Sequence, residues 1–285
     1  MIKIRDAAST DIDSCGRILY DSYHVFAERF HFPEDFTRES ASRVASLLIH
    51  HAGVYGAVAE LDGHVVGSSF LDQRNPIRGV GPVSVDPHYQ GRGIGRRLAQ
   101  AALQHAQGST GVRLIHDSLN ARSLALYALL GFEVKELTVL LSGRPDYHPP
   151  SGIQVRPLAA EDVPECEKLC QQVLGFTRTS ELHDALKFLT PVVATSSGRV
   201  VAYATSLTDW VVSHGVAESE DAMRALVCGA AHSVAGPLHF LLPTRHHKIF
   251  AWFLKEGFRV VKPMTLMAIG DYQEPQGCFF PSSWY

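Results

Sequence analysis

Residues 83–98 read VSVDPHYQGRGIGRRL, an arrangement of residue types suited to gripping a phosphate. Val83, Ser84 and Val85 close a strand, Asp86-Pro87 turns the chain, and glycines lead into an amphipathic helix predicted from about Gly91 to Ala106. Gly91, Gly93 and Gly95 let the backbone approach a ligand and aim successive N–H groups at it. Those amides and the positive end of the helix dipole together form an anion site. The charges agree, because Arg92, Arg96 and Arg97 sit at or near the first turn, where a cation opposes the dipole by ~0.3–1 kcal/mol apiece. An isolated helix favours Asp or Glu there, and an external pyrophosphate would reverse the local penalty. Two rival motifs fail on spacing. A dinucleotide-binding G-x-G-x-x-G begun at Gly91 meets Arg96 in place of its last glycine, and no Gly-Lys-Ser/Thr tripeptide completes a P-loop.

Downstream, Asn120 and Tyr127 are separated by about two helical turns and share one helix face, and Gly131-Phe132 stops the helix. With Gln90-x-x-Gly93-x-Gly95, these residues resemble the acetyl-CoA motif of the GNAT (GCN5-related N-acetyltransferase) superfamily. The likeness covers roughly residues 1–142 in layout, and its specific motifs occupy 83–98 and 120–132. It implies that the backbone of Val83, Ser84 and Val85 pairs with the pantetheine arm. Gln90, Gly91, Arg92, Gly93, Ile94, Gly95 and Arg96 would hold the pyrophosphate, Asn120 would bond the pantetheine, and Tyr127 would be the catalytic group facing the sulfur. The implied activity is N-acetyl transfer from acetyl-CoA, with no metal, to a primary amine of a small molecule or peptide. A weakly catalytic acyl-CoA sensor is the alternative.

Direct attack of a neutral amine sets three tasks: taking its proton, polarising the carbonyl and stabilising the departing thiolate. A phenol of pKa about 10 protonating a thiolate of pKa about 8.5 is uphill by roughly 2 kcal/mol, so a hydrogen bond to the developing charge is an equally serviceable role for Tyr127. Some members of the superfamily carry a glutamate where this chain has Gly79, which cannot titrate. Asp117, His116, Asp72, Glu28 and the terminal carboxylate of Tyr285 are the substitutes, and a water chain is another.

The elements that must position these groups follow from patterning. A strand at Ile2–Arg5 precedes helices from Thr10 to about Phe30 and from about Thr37 to His51, the second burying Val44, Leu47 and Leu48. Val54–Leu61, Asp62-Gly63 and His64–Leu71 read as a hairpin. The next strand, Gly79–Val85, contains Gly81-Pro82, which predicts a bulge. A strand at Val112–Asp117, a helix at Ala121–Leu130 and a strand at Val134–Leu141 complete this half.

A second copy follows. IKIRDAASTDIDSC at the start matches IQVRPLAAEDVPEC from Ile153, and LALYALLGFEV matches IFAWFLKEGFRV. The expected architecture is therefore mixed α/β. Two tandem GNAT-like units, each a mostly antiparallel twisted sheet flanked by helices, would span 1–143 and 153–285, with a linker at 144–152. Alignment at Gly-Phe puts His246 at the place of Asn120 and Phe253 at that of Tyr127. Glu218, Glu220 and Asp221 stand near the helix start where the first copy has arginines. Acidic residues there cap well and repel a pyrophosphate, so the second copy is expected to shape the acceptor site without productive CoA binding.

Composition bounds the rest. The 285 residues are 46% hydrophobic and 19% charged with net charge −3, and no basic tract appears, which argues against nucleic acid or an anionic membrane as partner. Five scattered cysteines without a CxxC pair, the absence of a leader-like start and of any apolar run of about eighteen residues suit a reducing cytoplasm. The pairs His50-His51 and His246-His247 lack further ligands at metal spacing. Homodimer formation is left open.

Overall fold

The computed structural model describes residues 1–146 and 152–283. Positions 147–151 of the expected linker, and Tyr285 with its terminal carboxylate, lie outside the described residues.

Two runs of the same element order make up the chain. The first comprises β1 (Lys3–Asp6), α1 (Ile12–Phe30), α2 (Arg38–His50), β2 (Val54–Leu61), β3 (His64–Asp72), β4 (Ile77–Val85), α3 (Ile94–His105), β5 (Gly111–Asp117), α4 (Ala121–Leu129) and β6 (Glu133–Gly143). The second comprises β7 (Ile153–Pro157), α5 (Val163–Leu174), α6 (Thr179–Phe188), β8 (Val192–Ser196), β9 (Arg199–Ala204), β10 (Gly215–Ala217), α7 (Glu220–Ser233), β11 (Leu238–Pro243), α8 (His247–Lys255) and β12 (Arg259–Gly270). One further strand, β13 (Cys278–Phe280), has no counterpart in the first run. The duplication reaches individual contacts. Arg5 pairs with Asp11 at 2.7 Å and Arg156 with Asp162 at 2.7 Å, and each aspartate also accepts the amide three residues before it.

Repeats and compact units do not coincide. One unit holds Met1–Arg74 and Arg78–Leu114; the other holds Asn75–Ile77 and Ile115–Ser283. In the first, β1, β2, β3 and β4 form an antiparallel sheet. Ile94 and Leu98 of α3 pack with Ala57, Ala59 and Val66 of that sheet. The expected bulge is present, since the β3–β4 register shifts between Ser69↔Val83 and Leu71↔Val80, opposite Gly81-Pro82. One expectation for the core fails: Leu47 is 45% exposed, and α2 buries Ala41 and Ala45 together with the expected Leu48. Those three residues follow i, i+4, i+7 spacing, so the buried stripe lies on the neighbouring face of the helix, not through Leu47.

In the second unit the strand order is β5, β12, β6, β11 in one sheet and β13, β10, β9, β8, β7 in another. The last strand of the second repeat thus lies between β5 and β6 of the first, and β6 pairs antiparallel with both β12 and β11. Leu226, Phe240, Phe253, Phe258 and Phe280 belong to the main core. Among the described residues no helix is long and apolar enough to cross a membrane.

Candidate functional site

The expected site residues fall in both units: Val83–Arg97 in the first, Asn120 and Tyr127 in the second. In the first unit, Val83, Ser84 and Val85 pair with Ser69, Ser68 and Gly67 of β3. The Ser84 hydroxyl is buried and makes no hydrogen bond among the described residues. Asp86 caps the short turn Pro87–Tyr89 by accepting from His88 N at 3.0 Å, and Arg17 reaches the same carboxylate at 3.0 Å. This Arg17–Asp86 tie was missed in the sequence, where only the Asp-Pro dipeptide hinted at a turn. Gln90 sends its amide to Val85 O at 3.1 Å, so one of the expected pantetheine-pairing carbonyls is partly engaged by the turn itself.

Gly93 is the residue before α3, at φ 78°, and no side chain caps the helix start. The helix begins at Ile94, three residues later than predicted, because Gly91 and Gly93 both adopt left-handed conformations that a regular helix excludes. A Cβ built on either glycine would meet no atom of the chain within 4 Å. The first-turn amides of Ile94, Gly95 and Arg96 precede the first in-helix acceptor geometry and face no capping side chain. Ile94 is itself a core residue, so its side chain anchors the start while no side chain caps its N–H. The three arginines divide. Arg97 donates to Ile2 O at 2.8 Å; Arg92 lies 5.2 Å from the Tyr89 ring centroid and donates weakly to His88 O; Arg96 is exposed. The result is an uncapped helix start with two exposed guanidiniums nearby, an arrangement able to accept an anion such as a diphosphate.

In the second unit, Asn120 is the N-cap of α4, its Oδ1 accepting from Ser123 N at 3.1 Å. Its side-chain amide hydrogens point the other way along the same group and can serve a ligand carbonyl. Tyr127 is 8% exposed, 5.8 Å from the His116 ring and 5.8 Å from Phe132, centroid to centroid. Burial pushes its hydroxyl up to about 12. Against a thiol of pKa about 8.5 that makes full proton transfer uphill by roughly 5 kcal/mol, which favours Tyr127 as a neutral hydrogen-bond donor.

The candidate proton acceptors separate clearly. Asp72 is buried in an ion pair with Arg74 at 2.5 Å, and Glu28 is exposed beside His24. Asp117 pairs with Lys262 at 3.0 Å; burial raises its carboxyl although the ammonium pulls the other way. His116 donates from Nδ1 to Asp117 O at 2.9 Å, which leaves Nε2 as the lone-pair nitrogen, buried and without a partner among the described residues. Burial lowers the pKa of this imidazole. Gly79 sits opposite Asp72 in the β3–β4 ladder and contributes backbone alone.

At the equivalent point of the second repeat, Ser219 caps α7 by accepting from Ala222 N at 3.1 Å, with Glu220 and Asp221 in the first turn. Glu220 also accepts from Ile249 N at 3.0 Å and lies 3.6 Å from His246 Nδ1. Phe253 is fully buried between Phe240 and Phe258. Strand β10 is paired on both edges, by β9 and by β13.

Residues 17–132 match the Acetyltransferase (GNAT) family. A mycothiol acetyltransferase of Nocardiopsis dassonvillei is 35% identical over 96 residues, 33% of this chain and 27% of that protein. The N-alpha-acetyltransferase RimI of Mycobacterium tuberculosis is 39% identical over 102 residues, 35% of this chain and 60% of that protein. The chain thus spans less than two thirds of the relatives it matches. In structure, a GCN5-related N-acetyltransferase from Sphaerobacter thermophilus superposes with TM-score 0.63 at 14% identity over 96% of each chain. A tandem GNAT protein from the clavulanic acid biosynthesis pathway gives 0.60 at 16% identity, over 96% of this chain and all of the other. The match to the acetyltransferase (GNAT) family thus lies in residues 17–132, and the chain shares its fold with a tandem GNAT protein.

Proposed function

We propose that this chain is an N-acetyltransferase that moves an acetyl group from acetyl-CoA to the primary amine of a small molecule or peptide by direct attack. The observation that carries the reading is the start of α3: uncapped, glycine-lined and set among arginines, within a stretch that matches the acetyltransferase family. Acetyl-CoA, when bound, supplies a thioester carbonyl for the amine to attack. The amides of Ile94, Gly95 and Arg96 hold its diphosphate, with Gln90, Gly91, Arg92 and Gly93 shaping the cradle. Backbone groups of Val83, Ser84 and Val85 pair with the pantetheine arm, and Asn120 donates to it. Tyr127 donates a hydrogen bond to the sulfur as charge develops there. The amine's proton goes to a group not yet assigned, with His116 and Asp117 at the end of β5 both buried and within a residue of each other. Relatives named for mycothiol and for an N-alpha position support acceptors of either size.

The test is release of CoA thiol with a broad amine panel, repeated with Tyr127→Phe. We expect wild-type turnover with at least one amine, a fall in kcat of roughly tenfold or more in the variant, and acetyl-CoA affinity held within about threefold. Unchanged kcat in the variant sinks the role of Tyr127. Tight acetyl-CoA binding with no thiol release from any amine favours an acyl-CoA sensor instead.

A further inference from the structure

The second repeat places a buried cation at the β5–α4 turn of the first. Lys262, on β12, is 2% exposed, its ammonium 3.0 Å from Asp117 at the end of β5 and 5.2 Å from the Trp210 ring centroid. Ser118 N donates to Pro263 O at 3.1 Å, and the Ser118 hydroxyl meets that of Thr265 at 2.7 Å. Asn120 N then donates to Asp117 O at 2.9 Å, and Asn120 caps α4. Two residues of the 117–120 turn, Asp117 and Ser118, are thereby tied to β12 by an ion pair, a backbone bond and a hydroxyl pair, and the Asn120–Asp117 bond carries that tie to the start of α4.

The strand itself is adapted to this. The β12–β6 register shifts between Val260↔Leu141 and Lys262↔Leu140, so Val261 is an extra residue. Such bulges re-aim the side chain that follows. Thr138 secures the bulged strand from β6 by donating to Met264 O at 3.1 Å. A buried ammonium is costly unless paired, so a lysine here needs a stronger reason than packing.

We propose that Lys262 is a positioning residue for acetyl transfer: from the second repeat it holds the β5–α4 turn on which Asn120 and Tyr127 depend. The proposal rests on the acetyltransferase reading for its effect on turnover, while the tie itself is a property of the fold. It gives the second repeat a task that needs no ligand of its own.

Hydrogen exchange over residues 115–124 and CoA-thiol release are measured together for the full chain, Lys262→Met and Lys262→Arg. In Lys262→Met we expect exchange at Ser118–Ala121 to accelerate at least tenfold, kcat to fall about tenfold, and acetyl-CoA affinity to stay within threefold. Arginine keeps charge and donors, so Lys262→Arg should restore both the slow exchange and most of the rate. Unchanged exchange in that turn, or acceleration spread evenly over the whole chain, overturns the proposal. Local acceleration in a chain that transfers acetyl to no amine keeps the tie and refutes the acetyltransferase reading instead.

Discussion

The helices α3 and α7 begin at the same point of the two repeats and solve the same local problem in opposite ways. Every helix start leaves amides without acceptors. At α7 the chain answers with its own groups: the Ser219 hydroxyl, two acidic residues in the first turn, and Glu220 reaching on to Ile249 N. At α3 it answers with none, placing Gly93 at the cap and arginines after it. Strand β10 is paired on both edges, by β9 and by β13, with Phe279 opposite Val216 and its ring 6.0 Å from His246. A helix start whose amides are met by the chain's own groups has fewer of them left over for an external anion. The difference teaches that the second repeat closes the helix start that the first leaves open, and the proposed diphosphate site depends on that opening.

The comparison breaks most forcefully if α3 is given the charge of α7. In Arg92→Glu/Arg96→Glu two charge-assisted contacts are lost and two repulsions added, so acetyl-CoA affinity should fall at least about 100-fold by calorimetry. The loss should shrink as salt is raised, because both side chains are exposed. An affinity within threefold of wild type would mean that the diphosphate lies elsewhere. The same titration should reach one acetyl-CoA per chain, since Phe253 replaces the tyrosine and β13 occupies the edge of β10.

A second, smaller contrast is in pH. Asn120 caps α4 and does not titrate, whereas His246 precedes α8 without a side-chain capping bond and has its pKa brought down to about 4, chiefly by burial and then by Arg245. Unfolded, the imidazole takes a proton near 6.5, so between about 6.5 and 4 the unfolded chain binds more protons than the folded one. Stability is therefore full above that window and falls as pH drops through it. Between pH 7 and pH 5 the loss from this one group is about 2 kcal/mol. His246→Asn should remove that share of the slope, measured as the difference in denaturant midpoints at the two pH values. His116 and His214 shift in the same direction and cancel in that difference. An unaltered slope would show that His246 is already protonated in the fold.

What was legible in the sequence was local. The turn at 86–93, the Gly131 stop and the Gly81-Pro82 bulge all depend on residues within a few positions of one another, where backbone preference decides. The repeated element order was visible because motif and spacing recur. What stayed hidden was non-local. Nothing near Val261 announces that β12 will lie between β5 and β6, and nothing near Cys278 announces that the tail will pair with β10. Arg17 meets Asp86 across 69 residues of sequence. Leu47 misled because Ala41 and Ala45, too small to dominate an apolar count, define the buried stripe of α2. For the candidate site, the glycine turn before α3 could be read from its own residues, while the ion pair that holds Asp117 needed the partner strand.

The finest test compares the two caps by single small changes. Ser219→Ala removes one accepted amide and should lower stability by about 1 kcal/mol, with acetyl-CoA affinity unmoved within twofold. Gly93→Ala should cost a similar ~1 kcal/mol, here from forcing an alanine into the left-handed region at φ 78°. The new methyl meets no atom of the chain, so the protein has no steric reason to reject it. Any weakening of acetyl-CoA binding beyond what the lost stability explains must then come from the ligand's own approach to that carbon. Equal affinities for Gly93→Ala and wild type would mean that the backbone at residue 93 is not where the diphosphate comes closest.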